Sequence, residues 1–175
     1  LNNFDMFISI HSNAATEGAT TNYPLFLYRG YDNSEGNPGS KAMAQACWPH
    51  WIKIPHMMWT HYTSSMNIRG DVSFMGSSYT TNHTNGKSYS GYYGVLRQGV
   101  PGFLVEGYFH TYQAARHKAM NWDACRWEGE AYARGVNDYF GIGYKESYGT
   151  IYGVLRDAEK TCSRAYCAPD TGPLD

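Results

Sequence analysis

Two ionisable residues directly follow apolar runs, at positions where they could carry acid–base or metal chemistry. In FDMFISIHSNAA (residues 4–15), the apolar run predicts a buried strand that stops at His11, and in PGFLVEGYF (residues 101–109) a second run stops at Glu106. Desolvation beside an apolar run raises the pKa of a carboxyl group toward the range of a general base. If the two strands are parallel neighbours, both groups face one crevice at the carboxyl edge of the sheet. The alternative is that each is a structural polar residue at a strand end.

The elements that must position these residues alternate between strands and helices. The apolar and turn-forming patterns predict three strands, at residues 5–10, 22–30 and 103–105. They also predict a helix that Ser40 caps and that Pro49 kinks or ends, and a long helix over about residues 111–139 that stops at Gly141. Residues 55–92 show no regular pattern. The order strand, strand, helix, strand, helix predicts an α/β layered fold.

Composition excludes some functions and favours others. The chain has 175 residues, which suits one domain with at most a short appendage. A net charge of −1 leaves no basic surface for nucleic acid, and no apolar run approaches the roughly 20 residues of a membrane span. Charged residues make up only 17% of the chain, while Tyr, Asn, Gly and Ser are abundant. This composition favours a protein of the cell envelope or a secreted one.

Both strand-end motifs resemble those of the zinc-dependent N-acetylmuramoyl-L-alanine amidases. FISIHSNA resembles their Ser-Ile-His-(small)-Asn-Ala strand end, and YYGVLRQGVPGFLVEGYF resembles their Val-Leu-Arg…Val-Pro…Leu-Val-Glu segment. The helix ending EAYARGVNDYF is similar as well, so the resemblance covers about residues 4–140 and is weakest across 50–92. It implies a mixed, mostly parallel central sheet flanked by helices, a Zn²⁺ cofactor and peptidoglycan as partner. It also implies a bacterial protein of the periplasm, the cell envelope or the exterior.

The resemblance implies roles for His11, Glu106 and Arg97, and two residues near them, Asn13 and His110, are further candidates. His11 matches the last of three zinc ligands, and Glu106 matches the catalytic glutamate, which takes a proton from water and passes it to the leaving amine. The bond cleaved is the amide between N-acetylmuramic acid and L-alanine of the peptide stem. Asn13, Arg97 and His110 are expected to bind substrate. Arg97 could pair with an acidic group of the stem or brace the strand of Glu106.

The chain departs from the family pattern in its zinc ligands. The family carries a further histidine and a glutamate on earlier strands, whereas only ten residues precede His11 and none of them is His or Glu. We expect the missing ligands upstream of residue 1, which makes residues 1–143 an N-terminally incomplete catalytic domain. Local substitutes are available in His50, His56, His61 and Glu17, and structural roles are favoured for the three histidines.

The last part of the chain changes in character. Within residues 144–175, TIYGVL predicts a strand, and turn-rich polar sequence follows it. We expect a short β-rich segment here, consisting of a linker and the start of an appended β-sandwich module in the same polypeptide.

Two other functions stay open. An amidase-like domain without its full ligand set could bind peptidoglycan without cutting it, and an upstream His and Glu would separate these two cases. A zinc carboxypeptidase-type peptidase also pairs a histidine ligand with a strand-end glutamate. The sequence contains no His-x-x-Glu pair, however, and no arginine clearly placed for a terminal carboxylate.

Overall fold

The apolar runs form the centre of a mixed β-sheet. The computed structural model describes residues 4–54, 67–76 and 93–143. Its strands are β1 (Phe7–Asn13), β2 (Leu25–Tyr28), β3 (Gly30–Tyr31), β4 (Ser34–Glu35), β5 (Ile68–Gly70) and β6 (Gly102–Phe109). The main sheet has the order β1-β6-β2-β5, with β1–β6 and β2–β5 parallel and β2–β6 antiparallel, while β3 and β4 form a separate antiparallel pair. The predicted α/β class with a mostly parallel central sheet is confirmed.

The described residues form four helices, α1 (Ser40–Trp51), α2 (Asp71–Met75), α3 (Gln113–Ala119) and α4 (Trp122–Phe140), and a 3-10 turn covers Gly94–Leu96. The two long helices, α1 and α4, pack on one face of this sheet. The main core lies between the sheet, α1 and α4. At its centre, Phe26 stacks on Phe103 with ring centroids 5.0 Å apart and meets the edges of Trp48 and Trp51 at 5.2 and 5.9 Å. Large aromatic residues on neighbouring strands therefore join the sheet to α1.

The opposite face of the sheet carries a smaller apolar cluster. Leu25, Leu27 and Leu104 pack there with Leu96 of the 3-10 turn. Because side chains alternate along a strand, Leu104 and Glu106 of β6 share this face, whereas Phe103 and Val105 point toward the helices. Glu106 thus lies beside apolar residues on the face away from α1 and α4.

The helix boundaries differ from the sequence prediction at two places. The long helix expected over about residues 111–139 is two helices, because Asn121 interrupts it and its side chain accepts a hydrogen bond from Ala124 N–H at 2.9 Å. The predicted stop at Gly141 is confirmed, with φ of 66°. Ser40 is not the cap of α1: Gly39 holds that position, and the Ser40 hydroxyl accepts from Gly102 N–H of β6. Helix α1 contains Pro49 in its last turn.

The segment expected to be irregular contains two short elements, β5 and α2. Asp71, at the start of α2, is fully buried, and its carboxylate accepts from Gly30 N–H at 2.8 Å and from Tyr93 N–H at 3.0 Å. The β-rich tail predicted over 144–175 lies outside the described residues. Among the helices that the structure does describe, none combines the length and apolar character of a membrane span.

Candidate catalytic site

The structure brings the two strand-end residues together. Strands β1 and β6 are adjacent and parallel, and their register pairs His11 with Glu106. Paired residues of neighbouring strands project from the same face of a sheet. The histidine and the glutamate therefore lie side by side at the carboxyl ends of two parallel strands, as expected if those strands are neighbours.

The Glu106 carboxyl group is half-buried and incompletely satisfied. Its Oε2 atom is buried, and no group in the described part of the chain donates a hydrogen bond to it. Desolvation raises the pKa of Glu106, and the nearby His11 and His110 partly offset this effect. A carboxyl group with a raised pKa exchanges protons more readily near neutral pH than an ordinary surface glutamate. Glu106 thus has the properties of a general base or acid.

His11 is exposed and is held by a residue of its own strand. Ser9 lies two positions earlier on the same face of β1, and its Oγ is 2.8 Å from Nε2 of His11. The imidazole therefore has a hydroxyl partner and an open side toward solvent. This arrangement leaves the ring available to a ligand or a metal ion.

A set of hydrogen bonds joins the segments that follow β1 and β6. His110 N–H donates to the backbone oxygen of Asn13 at 2.9 Å, and Ser12 Oγ lies 3.0 Å from Nδ1 of His110. Ala15 N–H donates to Thr111 Oγ1 at 2.9 Å. These bonds hold His110 close enough to Glu106 to influence its pKa. The Asn13 side chain accepts from Ala14 N–H at 2.8 Å, which stabilises the turn after β1.

Arg97 lies on the loop that follows the 3-10 turn. Its side chain is exposed, and the preceding Leu96 is buried against Leu104, two residues before Glu106. The loop is thus anchored on the face of the sheet that carries Glu106. The predicted substrate-binding roles of Arg97, Asn13 and His110 stay predictions.

The described residues do not by themselves complete a three-ligand zinc site. Within residues 4–54, 67–76 and 93–143, no three His, Cys, Asp or Glu side chains are grouped closely enough to hold a metal ion. His50 lies 2.5 Å from Asp138, where it bridges α1 and α4, and Glu17 is exposed. The other two local substitutes, His56 and His61, lie outside the described residues. His11 is therefore the one expected zinc ligand that the structure places.

Sequence reasoning missed one residue that borders the site. Asn22 is fully buried, and its Oδ1 accepts a hydrogen bond from Phe109 N–H at 2.9 Å. A buried asparagine needs such partners, because a polar group that loses its water without gaining a hydrogen bond destabilises the folded state. The only local signal in the sequence is a polar residue immediately before the Tyr23-Pro24 start of an apolar run.

Solved structures share this fold. One is the catalytic domain of CwlV, an N-acetylmuramoyl-L-alanine amidase from Bacillus (Paenibacillus) polymyxa var. colistinus, with 18% identity, a TM-score of 0.53, and coverage of 79% of this chain and 59% of that one. An N-acetylmuramoyl-L-alanine amidase from Clostridium difficile 630 has 23% identity and a TM-score of 0.53, and the match covers 78% of this chain and 58% of that one. The N-acetylmuramoyl-L-alanine amidase AmiC2 of Nostoc punctiforme has 17% identity and a TM-score of 0.51, and the match covers 78% of this chain and 58% of that one.

This chain spans less than two thirds of the length of these structures. No protein-family model matches it, and no curated protein sequence matches it significantly. The similarity is therefore one of three-dimensional structure, and what it establishes is that the chain has the fold of N-acetylmuramoyl-L-alanine amidase catalytic domains.

Proposed function

We propose that this chain belongs to a zinc-dependent N-acetylmuramoyl-L-alanine amidase, which cleaves the amide bond between N-acetylmuramic acid and L-alanine of the peptide stem in peptidoglycan. One observation carries the proposal. His11 and Glu106 are paired across adjacent parallel strands, with a buried Glu106 oxygen left free of described partners. The amidase fold supports the choice of reaction.

Glu106 moves the proton in this reaction. Its carboxylate accepts a proton from the attacking water, whose oxygen bonds to the carbonyl carbon of the lactyl–alanine amide. When the carbon–nitrogen bond breaks, the same carboxyl group returns the proton to the leaving nitrogen. The products are a lactyl carboxylate on the glycan strand and a peptide stem with a free L-alanine amine.

His11 contributes one ligand to the proposed Zn²⁺ site. The described residues fit a single ligand position and not the whole site, so further ligands would come from outside those residues. Bound Zn²⁺ acts as a Lewis acid at a carbonyl oxygen and lowers the pKa of water to about 7. Ser9 orients the His11 ring through its hydroxyl group.

Substrate contacts and cellular location complete the proposal. We expect Arg97, Asn13 and His110 to contact the peptide stem or the sugar from the loops around the carboxyl ends of β1 and β6. Peptidoglycan as substrate implies a bacterial protein of the periplasm, the cell envelope or the exterior. Residues 1–143 would be part of the catalytic domain, with an appended module beginning within 144–175.

The test is mass spectrometry of peptidoglycan fragments after incubation with the protein and its variants. We expect free peptide stems with an unblocked L-alanine amine from the wild type, and none from Glu106→Gln. His11→Ala should lower the zinc content measured by elemental analysis, whereas Glu106→Gln should retain it. Glu130→Gln is the matched control, because Glu130 lies on α4 in an ion pair with Arg134 and should keep full activity.

Intact muropeptides from a zinc-loaded protein would reject the amidase. Release of C-terminal stem residues instead would identify the peptidase.

A peptidoglycan-binding module is the second candidate function. The observation that favours it is the absence of a three-ligand cluster among the residues that the structure describes. This function predicts that the protein sediments with insoluble peptidoglycan, holds no zinc and leaves every muropeptide intact. Zinc binding together with stem release would exclude it.

A further inference from the structure

The chain has a backbone irregularity immediately after Glu106. The register of β1 and β6 runs regularly to the pair His11–Glu106, and the next pair is Asn13–Phe109. Two steps along β1 thus match three steps along β6, so β6 carries one extra residue, a β-bulge, between Glu106 and Phe109. Bulges of this kind re-aim neighbouring side chains and interrupt the ladder of backbone hydrogen bonds.

On the β2 side, the strand ladder stops at the bulge. The last described pair between β2 and β6 is Leu25–Glu106, so β2 supplies no strand partner to Phe109. Phe109 is 4% exposed, and an unpaired backbone N–H at such a position would cost free energy. The Oδ1 atom of Asn22 accepts this N–H at 2.9 Å from a fully buried position. The Asn22 side chain thus replaces the missing strand partner.

On the β1 side, the same segment is held by the bonds already described. His110 N–H donates to the Asn13 oxygen, and Ser12 Oγ contacts the His110 ring. Tyr23, next to Asn22, packs its ring on Phe109 with centroids 4.8 Å apart. The residues after the bulge are therefore fixed from both neighbouring strands, and on the β2 side the buried Asn22 provides a side-chain acceptor.

The position of the Glu106 carboxylate depends on this backbone. No described group donates a hydrogen bond to Glu106 Oε2, so that oxygen is not held in place by a partner of its own. Its location follows from the backbone of β6, from the side-chain torsion angles of Glu106 and from the packing around that side chain. Small displacements of a reacting group lower the rate strongly, by up to about 100-fold for a shift of about 1 Å.

From these observations we propose that Asn22 is a positioning residue for Glu106, because its side chain closes the bulge that aims the carboxylate. The catalytic part of this inference rests on the proposed amidase function. The structural part, that Asn22 holds the bulge, does not. Asn22 acts through the backbone of Phe109, whose N–H its side chain accepts.

Ser40 supplies a matched control. It is also fully buried, and its hydroxyl also accepts a backbone N–H of β6, that of Gly102 at 3.1 Å. Gly102 begins the strand, whereas Phe109 ends it on the far side of Glu106. Loss of the Ser40 acceptor should therefore disturb the same strand without disturbing the bulge.

The experiment combines amide hydrogen exchange, read by mass spectrometry of peptides, with steady-state kinetics on soluble muropeptides. For Asn22→Ala we expect faster exchange over residues 106–110, a kcat lower by about 10- to 100-fold, and a KM within about two-fold of wild type. Asn22→Asp keeps the acceptor oxygen, and at a pH where its carboxyl group is protonated it should restore slow exchange over residues 106–110. Ser40→Ala should exchange faster only near Gly102 and keep kcat. If Asn22→Ala does not fold, Asn22→Ser, whose hydroxyl oxygen lies one bond nearer its own backbone than Oδ1 of asparagine, takes its place.

Three results would overturn the inference. They are a folded Asn22→Ala protein with wild-type exchange over 106–110, faster exchange there with unchanged kcat, or an equal loss of kcat in Ser40→Ala. A wild-type protein without hydrolytic activity would instead reject the proposed function. The exchange comparison would still decide in that case whether Asn22 holds the bulge.

Discussion

The position of Glu106 in the sheet removes much of the water from around its carboxyl group. The carboxyl group is half-buried beside the cluster of Leu25, Leu27 and Leu104, and desolvation raises its pKa. Its Oε2 atom has no hydrogen-bond donor among the described residues. An ionised group in such surroundings destabilises the folded state, which is typical of residues retained for function and not for stability.

We therefore expect Glu106→Gln to stabilise the folded protein while it removes activity. The substitution removes a carboxyl group whose ionisation is disfavoured by desolvation, and at neutral pH it should raise the free energy of unfolding by up to about 1 kcal/mol. The measurement is urea denaturation in the presence of a metal chelator. Glu130→Gln should leave the free energy of unfolding unchanged or lower it slightly, because it removes the ion pair with Arg134, which is worth about 0.3–0.5 kcal/mol. A less stable Glu106→Gln protein would contradict this account of the site.

At the scale of the element, helix α4 shows how closely the layers approach. Gly135 faces α1, where an added Cβ atom would collide with Cα and Sγ of Cys47. Gly129 lies on the same helix, and a Cβ atom there would meet no heavy atom within 4 Å. The first glycine is needed for the contact between α1 and α4, and the second is not.

Alanine substitutions at these two glycines should have opposite signs. Gly129→Ala should stabilise the protein by up to about 1 kcal/mol, because alanine favours helix. Gly135→Ala should destabilise it by about 1 to 3 kcal/mol despite the same gain in helix propensity, because the helices must separate. Thermal unfolding of both variants gives the comparison. Equal effects would show that α1 and α4 are less tightly packed than described.

The element boundaries also show what local sequence can and cannot predict. Gly141 ends α4 as predicted, because a left-handed residue after a helix is a local requirement that glycine meets. The break before α4 was missed, since the helical pattern continues through Asn121 and only its side-chain bond to Ala124 N–H reveals the cap. Strand β5 was missed because it has three residues and a single large apolar side chain.

At the scale of the whole molecule, Glu128 joins α4, α1 and the sheet. Tyr132 O–H donates to Glu128 Oε1 at 2.6 Å, and the Trp51 indole lies close enough to this carboxyl group to lower its pKa. A Cβ atom added to Gly107 of β6 would lie 3.5 Å from Oε1. Desolvation raises the pKa of Glu128, and the hydrogen bond from Tyr132 together with the nearby Trp51 indole partly offsets that effect.

This raised pKa predicts the direction of a pH effect on stability. The folded protein holds the Glu128 proton more tightly than the unfolded chain, whose glutamate pKa is near 4.5. The stability that Glu128 contributes is therefore complete below that value and is lost as pH rises through the folded-state pKa. Glu106 also has a raised pKa and contributes a pH dependence of the same sign, so the comparison is made in a Glu106→Gln background. In that background, Glu128→Gln should make the free energy of unfolding fall less steeply with rising pH. Equal slopes for the single and double variants would contradict this prediction.

The sequence by itself identified His11 and Glu106 as the two candidate site residues and predicted the class of fold. An apolar run that ends in one ionisable residue is a local pattern, so His11 and Glu106 could be singled out, and the order of elements indicated an α/β fold. The resemblance of their motifs to the amidases could likewise be seen from short segments.

Only the tertiary structure decided how these residues are held. The pairing of His11 with Glu106, the bulge after Glu106 and its closure by Asn22 all join segments far apart in the chain. The Ser40 hydroxyl accepts from β6 instead of capping its own helix for the same reason. A buried polar side chain must form a hydrogen bond with a group that tertiary packing brings next to it. Local sequence does not show which backbone group that will be.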